Sequence, residues 1–232
     1  MMMLLPMVLA LAAVEPAPAA STAPRPTPLT EIGRVRALPA CVPIVAHANG
    51  AISQALDNDR TLAIISTNLH NTDFDKLNVL QRRNAIEALM KQAEAMRAAS
   101  SAGDAEVKRL REYAVNSPDP KRKEELKTFA DALGGALYRQ KKAAVEFMRD
   151  ITIMRGREEA AEAREIMHRD NPVPPGYAAQ AMANTPSILP PPPATYNKQM
   201  QYIGDTMDGL SASIQTDEGR AADHSIAATS GC

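Results

Sequence analysis

An apolar stripe that keeps one heptad phase over two successive long segments is the strongest constraint on the fold of this chain. Its alternating steps of three and four residues place the side chains on one face of an α-helix. Asn116-Ser117-Pro118-Asp119-Pro120 separates the two segments, and proline ends one helix but suits the first turn of the next. The pattern predicts an all-α fold built around a long antiparallel, coiled-coil-like helical hairpin. The first stripe is Val79, Ile86, Leu89, Ala93, Met96, Val107, Leu110 and Ala114, and the second is Leu126, Phe129, Leu133, Leu137, Ala144, Phe147, Ile151, Met154 and Ala161.

Small residues interrupt both stripes. Ser100 and Gly103 occupy stripe positions, which predicts a local break or kink there. Gly134-Gly135 predicts either a kink or the close approach of another helix, since glycine has no Cβ. At 1.5 Å per residue, a helix over 120–169 would be roughly 70 Å long, so it needs a second long helix beside it.

Shorter elements flank the hairpin. A third apolar stripe, with Asp59 and Ser66 at two of its positions, predicts a helix that precedes the hairpin. Thr72 and Asp75 have the spacing of a capping box, which predicts that the next helix starts at 73. We therefore expect a helical domain over 43–170, with helices at about 43–69, 73–115 and 120–169.

Two proline-rich segments, 20–42 and 171–194, are predicted to be extended linkers. An amphipathic helix is predicted at 195–215, because apolar residues recur there in steps of four and three. The small and polar residues 216–232 predict a disordered tail. The stripe of this last helix is Tyr196, Met200, Ile203, Met207, Leu210 and Ile214.

The first residues predict export. The run MMMLLPMVLALAAV is too short to span a bilayer and resembles the apolar region of a signal peptide. Ala17-Pro18-Ala19 follows as a small-residue cleavage site, so 1–19 is predicted to be removed and the protein to be periplasmic or secreted. No Lys or Arg precedes the run, and the alternative is the apolar start of a cytoplasmic protein. No later stretch predicts a membrane span.

The cysteines leave three alternatives open. Cys41 and Cys232 are the only two in the chain. In an oxidising compartment they can pair with each other, pair between chains or stay free.

Composition and motifs argue against several classes of function. The net charge is −1, with five Tyr, three Phe and no Trp, whereas nucleic-acid binders usually cluster basic and aromatic residues. The chain has no nucleophile elbow and no phosphate-binding glycine loop. We therefore predict no catalytic residue, no cofactor and no nucleic-acid partner.

Two weaker candidate sites remain. Glu165 and His168 share a helix face, as in di-iron bundles, but those bundles use two such motifs and two further glutamates. The alternative is a solvated charged face near a helix end, where His168 suits the helix dipole. The second candidate is the apolar face of the last helix, since methionine adapts to irregular partner surfaces. The alternative is that this helix folds back onto the bundle. The residues of the second candidate are Met200, Ile203, Met207 and Leu210.

The predicted function is that of an exported, non-enzymatic interaction protein: a scaffold, an adaptor or a holding chaperone. The long stripes predict a protein partner or self-association as a homo-oligomer. A helical bundle that binds a small ligand or a metal, through Glu165, His168 and nearby carboxylates such as Glu162, is the alternative.

Overall fold

Four α-helices make up almost all of the described structure. The computed structural model describes residues 27–32, 41–170 and 195–229, although in the last turns of the third helix, at 157, 158 and 160–170, it describes the backbone alone. These residues contain no β-strand, so the predicted all-α fold is confirmed. The predicted signal peptide, most of the first proline-rich segment, all of the second and the last three residues lie outside the described residues. The helices are α1 (Val42–Asn71), α2 (Val79–Asn116), α3 (Pro120–Asp170) and α4 (Tyr196–Thr229).

The helices form an antiparallel bundle in which each one packs beside the next and α4 closes against α1. Near the end of α2, Arg111 Nε donates to Asp131 Oδ1, near the start of α3, at 2.8 Å. Near the end of α1, Ser66 Oγ donates to Asp208 Oδ1, near the start of α4, at 2.6 Å. Late residues of one helix thus meet early residues of its neighbour, which is the up-down-up-down arrangement of a four-helix bundle.

The stripe of α2 faces the core from Ile86 to Ala114, whereas Val79, its first predicted member, is 70% exposed. The helix continues through Ser100 and Gly103, so the predicted break is absent. Ser100 Oγ donates to the carbonyl oxygen of Met96 at 2.9 Å, and both Cδ atoms of Leu137 lie 2.8 Å from where a Cβ on Gly103 would stand. The two small residues therefore admit the facing side chains. The buried residues of α2 are Ile86, Leu89, Ala93, Met96, Ser100, Gly103, Val107, Leu110 and Ala114.

The two adjacent glycines of α3 allow close helix approach and do not break the helix. A Cβ on Gly134 would meet Arg111 Nη2 at 2.9 Å and Val107 Cγ1 at 3.2 Å. A Cβ on Gly135 would meet Asp217 Oδ2 of α4 at 2.9 Å. Of the two expectations for this pair, close approach is the one that the structure shows.

Helix α2 begins six residues later than predicted, and the predicted capping box is wrong. Thr72 ends α1 instead, where its N–H donates to the carbonyl oxygen of Asn68 at 3.1 Å. Residues 72–78 form a connection that places Phe74 in the core without solvent exposure. The true capping box uses Asn78 and Gln81, which exchange side-chain to backbone hydrogen bonds of 2.9 and 3.1 Å. Burial of an aromatic ring outweighs the local capping signal at Thr72.

Helix α4 continues to Thr229, beyond the predicted end at 215, so 216–229 is helical where a disordered tail was expected. Its added turns bury Ala221, Ala222 and Ala228 against the other helices. Alanine has the highest helix propensity but a weak hydrophobic signal, so a pattern based on large apolar residues stops too early.

Part of the segment predicted as the first linker is packed on the bundle. Leu29 is buried in the core cluster that also contains Ile44. The N–H of Ile32 donates to Asn49 Oδ1 at 2.7 Å, and Asn49 Nδ2 donates back to the carbonyl oxygen of Ile32 at 2.9 Å. Residues 27–32 are therefore fixed against α1.

Candidate functional site

A layer of polar side chains crosses the core and separates its two apolar clusters. One cluster contains Ile52 and Phe129, and the other contains Phe74 and Phe147. Between them, all four helices contribute a polar side chain at a position where their apolar stripes are interrupted. This polar layer consists of Asn58 and Asp59 from α1, Ser100 from α2, Gln140 from α3 and Glu218 from α4.

Gln140 is the centre of the polar layer and has no solvent exposure. Its Nε2 donates to the carbonyl oxygen of Ala55 at 2.9 Å, to Asp59 Oδ1 at 3.0 Å and to Glu218 Oε1 at 3.2 Å. Its Oε1 accepts from Asn58 Nδ2 at 2.9 Å. Asn58 extends the network to α2, because its Nδ2 also donates to Ser100 Oγ at 3.0 Å. The amide of Gln140 thus joins α3 to α1 and α4, and buried polar groups that bond one another avoid the cost of desolvation.

Two carboxyl groups flank the amide of Gln140. Burial raises the pKa of Glu218, and together with a hydrogen bond to Asp59 and the charges of Asp59 and Asp217 it brings this pKa to about 9. A glutamic acid with such a pKa is neutral at pH 7. Glu218 therefore keeps its proton beside Asp59, as expected of a buried carboxyl group that lies close to another one.

A salt bridge lies next to the polar layer. Arg139 Nε donates to Asp217 Oδ2 at 2.6 Å, and the Asp217 side chain is mostly buried while that of Arg139 is half-exposed. Asp217 reaches this position because Gly135 has no Cβ beneath it. The guanidinium neutralises one of the two adjacent acidic residues of α4, and Glu218 stays neutral by keeping a proton.

The polar layer is a closed hydrogen-bonded network in which Glu218 carries a proton at neutral pH. Its polar groups bond to one another, and none of them lines the surface groove at His47 or the one at Tyr202. A displaced pKa often marks an active site, but structural networks displace pKa values too. Buried polar groups of this kind are best attested as devices that fix helix alignment, since a shifted helix would leave them unpaired.

Three of the four histidines connect helices through a carboxylate. One ring nitrogen of each contacts an acidic side chain on another helix, and none of these residues was predicted from the sequence to form a site. Within the described residues, no three or more His, Cys, Asp or Glu side chains are grouped as they would be around a metal ion. The pairs are His47–Glu106 at 2.5 Å, His70–Asp208 at 3.2 Å and His224–Glu125 at 2.8 Å.

The predicted metal candidates stay untested. Glu165, His168 and the nearby Glu162 belong to the last turns of α3, where the backbone is helical but the side chains lie outside the described residues. A metal role for them therefore stays a prediction.

The predicted partner-binding face of α4 packs inside the bundle. Met200, Ile203 and Met207 are buried in the second apolar cluster, and Leu210 is partly buried against it. The alternative that the last helix folds back onto the bundle is the one that the structure shows. A partner can therefore reach these four side chains only if α4 moves.

An open groove of about 380 Å³ runs between α3 and α4. Ile153 and Tyr202 line it and are 48% and 70% exposed. Arg149 and Lys198 add two cationic side chains, and Asp150 adds a carboxylate that accepts from Arg149 Nε at 3.0 Å. Gln199 also lines the groove, and its Oε1 is buried without a hydrogen-bond partner among the described residues. We call this surface the α3/α4 groove.

The comparisons with known proteins add no family to this picture: no family model, no curated protein and no solved structure matches the chain. In the part of the chain that the structure describes, no helix has an apolar stretch long enough to cross a membrane.

Proposed function

We propose that this protein is an exported, non-enzymatic interaction protein, a scaffold, adaptor or holding chaperone, and that it binds a protein partner in the α3/α4 groove. The observation that carries this proposal is the combination of two exposed apolar side chains, Ile153 and Tyr202, with the unpaired buried oxygen of Gln199.

The groove has the composition of a protein interface. Tyrosine and arginine are enriched at protein contacts, where they combine a large apolar area with polar groups at the edge. Tyr202 and Arg149 supply both types here. An unpaired buried acceptor costs about 1–3 kcal/mol, so a turn of the Gln199 side chain toward an N–H of the partner would recover that cost on binding.

The bundle suits the presentation of such a groove. It is built on two helices that the core orders firmly, because Met154 and Ile203 pack inward directly beneath the exposed side chains. Asp217 lies opposite Gly135, so antiparallel register places the start of α4 level with about residue 156 of α3. The backbone of helix α3 continues from there to Asp170.

Export is supported by two observations. Cys41 takes part in a disulfide, and disulfides persist in oxidising compartments. The apolar N-terminal run followed by Ala17-Pro18-Ala19 has the pattern of a signal peptide.

The test is an affinity pull-down of the tagged mature protein from its native envelope fraction, with bound proteins identified by mass spectrometry. We expect Tyr202→Ala to lose the captured partner. Tyr138→Ala is the matched control, since Tyr138 lies on α3, is 65% exposed and does not line the groove. Deletion of α4 is a poor test because it opens the core. A partner captured equally by both variants would refute the groove as its binding surface, and no captured partner would contradict the proposal.

If the protein self-associates, the partner in the groove is a second copy of this chain. Sedimentation velocity of the purified protein separates this case from a foreign partner, because only a second copy gives a dimer without added protein. If the groove forms the contact, Tyr202→Ala shifts the dimer to monomer and Tyr138→Ala does not.

A further inference from the structure

The methionines of the described bundle are confined to one half of its core. Every methionine whose side chain the structure describes belongs to the second apolar cluster or packs against it, and the first cluster contains none. Four of them are at most 4% exposed, whereas Met90 and Met148 are only partly buried. This half of the bundle therefore has two accessible thioether side chains beside four protected ones. The protected residues are Met96, Met154, Met200 and Met207.

The outer edge of the seam between α2 and α3 has a regular alignment. A Cβ on Gly134 would meet Arg111 Nη2 at 2.9 Å, and Lys141 Nζ lies 3.6 Å from Asp104 Oδ2. The side chains of Lys141 and Asp104 are 40% and 44% exposed, so this row of contacts lies at the surface. From the first contact to the second, α3 advances by seven residues and α2 goes back by seven. That is the alignment of an antiparallel helix pair with heptad packing.

The two accessible methionines lie on this same edge. The next step of seven places Met148 of α3 opposite Arg97 of α2, and the step after it places Arg155 of α3 opposite Met90 of α2. Arg97 is exposed and Arg155 is partly exposed, so both side chains have room to turn. Each accessible methionine therefore faces an arginine across the seam, and a guanidinium group has several N–H donors.

An added oxygen atom would have different consequences at the seam and in the core. A sulfoxide oxygen is a polar acceptor, and burying an acceptor without a donor lowers stability. Acceptors already lack donors in this half of the core, because the Oε1 atoms of Gln92 and Gln199 are buried without a hydrogen-bond partner among the described residues. At the seam, by contrast, Arg97 and Arg155 can donate to the new oxygen.

We propose that Met90 and Met148 form a peroxide-reactive site, at which the bundle takes up an oxidant without losing its fold. The methionine sulfur attacks one oxygen of hydrogen peroxide and the O–O bond breaks. That oxygen stays on the sulfur as a sulfoxide, and the other leaves as water with both hydrogens. The sulfur loses two electrons, and the peroxide gains them. Arg97 donates to the sulfoxide of Met148, and Arg155 donates to that of Met90.

The site is separate from the proposed partner surface. Neither methionine lines the α3/α4 groove, so a partner bound there leaves the seam between α2 and α3 accessible to a small peroxide.

Peptide mapping of the full mature chain during exposure to hydrogen peroxide measures where the sulfoxides form. Met90 and Met148 are expected to react at least about tenfold faster than the four protected methionines, because a buried sulfur reacts only when the bundle opens locally. Circular dichroism of the protein oxidised at both residues should keep the helical signal of untreated protein. Equal rates at all six methionines, or loss of the helical signal when only these two of the six are oxidised, would overturn the proposal.

The role of the arginines is measured by the fall in Tm on oxidation. This fall should be larger by about 4 °C in Arg97→Ala than in wild type, because the sulfoxide of Met148 then lacks its donor. Adding Met148→Leu to Arg97→Ala should remove the extra loss. Arg109→Ala is the matched control, since Arg109 also lies on α2 but pairs with Glu112 of its own helix. An equal fall in wild type, Arg97→Ala and Arg109→Ala would overturn the proposal, because the sulfoxide would then not depend on the guanidinium group.

Discussion

Replacing Glu218 by glutamine should change how the stability of the bundle depends on pH. Glu218 is 6% exposed, and burial among Asp59, Asp217 and Gln140 raises its pKa from 4.5 to about 9. The unfolded chain has no such environment, so its Glu218 loses the proton near pH 4.5. The folded state keeps the proton over the window from about 4.5 to about 9, and there the two states differ by one proton.

The sign follows from that difference. A group that binds its proton more tightly in the folded state contributes its full stabilisation below the pKa of the unfolded chain, and the contribution falls as pH rises toward the pKa of the folded state. Each pH unit in this window is worth about 1.4 kcal/mol, so the wild-type protein should lose at most about 4 kcal/mol between pH 5 and pH 8 through this residue. Glutamine has the same shape, donates a hydrogen bond to Asp59 and does not ionise.

The assay is urea unfolding followed by circular dichroism from pH 5 to pH 8. Glu218→Gln and wild type should have similar free energies of unfolding at pH 5, and the variant should be more stable by up to about 4 kcal/mol at pH 8. Glu94→Gln is the matched control, because Glu94 is exposed and should change the profile little. A difference between Glu218→Gln and wild type that is constant over this range would refute the idea that Glu218 keeps a buried proton.

Four further substitutions test the packing and the start of α2, with the free energy of unfolding as the measurement. Two glycines of α4 form a pair: Gly209→Ala should stabilise by about 0.5–1 kcal/mol, because nothing lies within 4 Å of the new Cβ. Gly204→Ala should destabilise, because its Cβ would lie 2.8 Å from His70 Nε2, and equal effects would contradict this account. Phe74→Ala should cost about 3–5 kcal/mol, and a cost below 1 kcal/mol would refute the role of its ring in ordering 72–78. Asn78→Ala should cost about 1 kcal/mol, and no loss would show that the capping box does not stabilise α2.

The local periodicity of the sequence was sufficient to predict the helices and their buried faces. Helical packing needs only a side chain of the right type every three or four residues, so a stripe such as that of α2 can be recognised without any long-range information. The prediction for the start of α2 was wrong because Thr72 and Phe74 compete: one has a local capping signal, and the other has a core position that depends on the folded chain.

The polar layer depends on the alignment of four helices and was not predicted. Its signal was nevertheless present, as a polar residue at one stripe position of each helix. Asp59 and Ser100 were recognised as interruptions, but they were interpreted separately, and Gln140 and Glu218 were missed. Only the register of the folded bundle shows that the four interruptions lie at one level.

The groove between α3 and α4 could not be derived from the sequence either. Ile153 and Tyr202 are ordinary apolar residues within helical patterns, and their exposure is set by the neighbouring helices. Isolated exposed apolar residues are common, and only their arrangement next to the unpaired Gln199 makes this surface notable.

The antiparallel closure of α4 against α1 also has a consequence for chain order. The last residue of α4, Thr229, and the first residue of α1, Val42, are at the same end of the bundle, because α1 and α4 run in opposite directions. A short peptide could therefore join these two ends while the chain is opened between α3 and α4. Such a circular permutant has the helix order α4–α1–α2–α3 and keeps every helix contact of the bundle. The architecture is therefore specified by which helix faces meet, and it does not require α4 to be synthesised last.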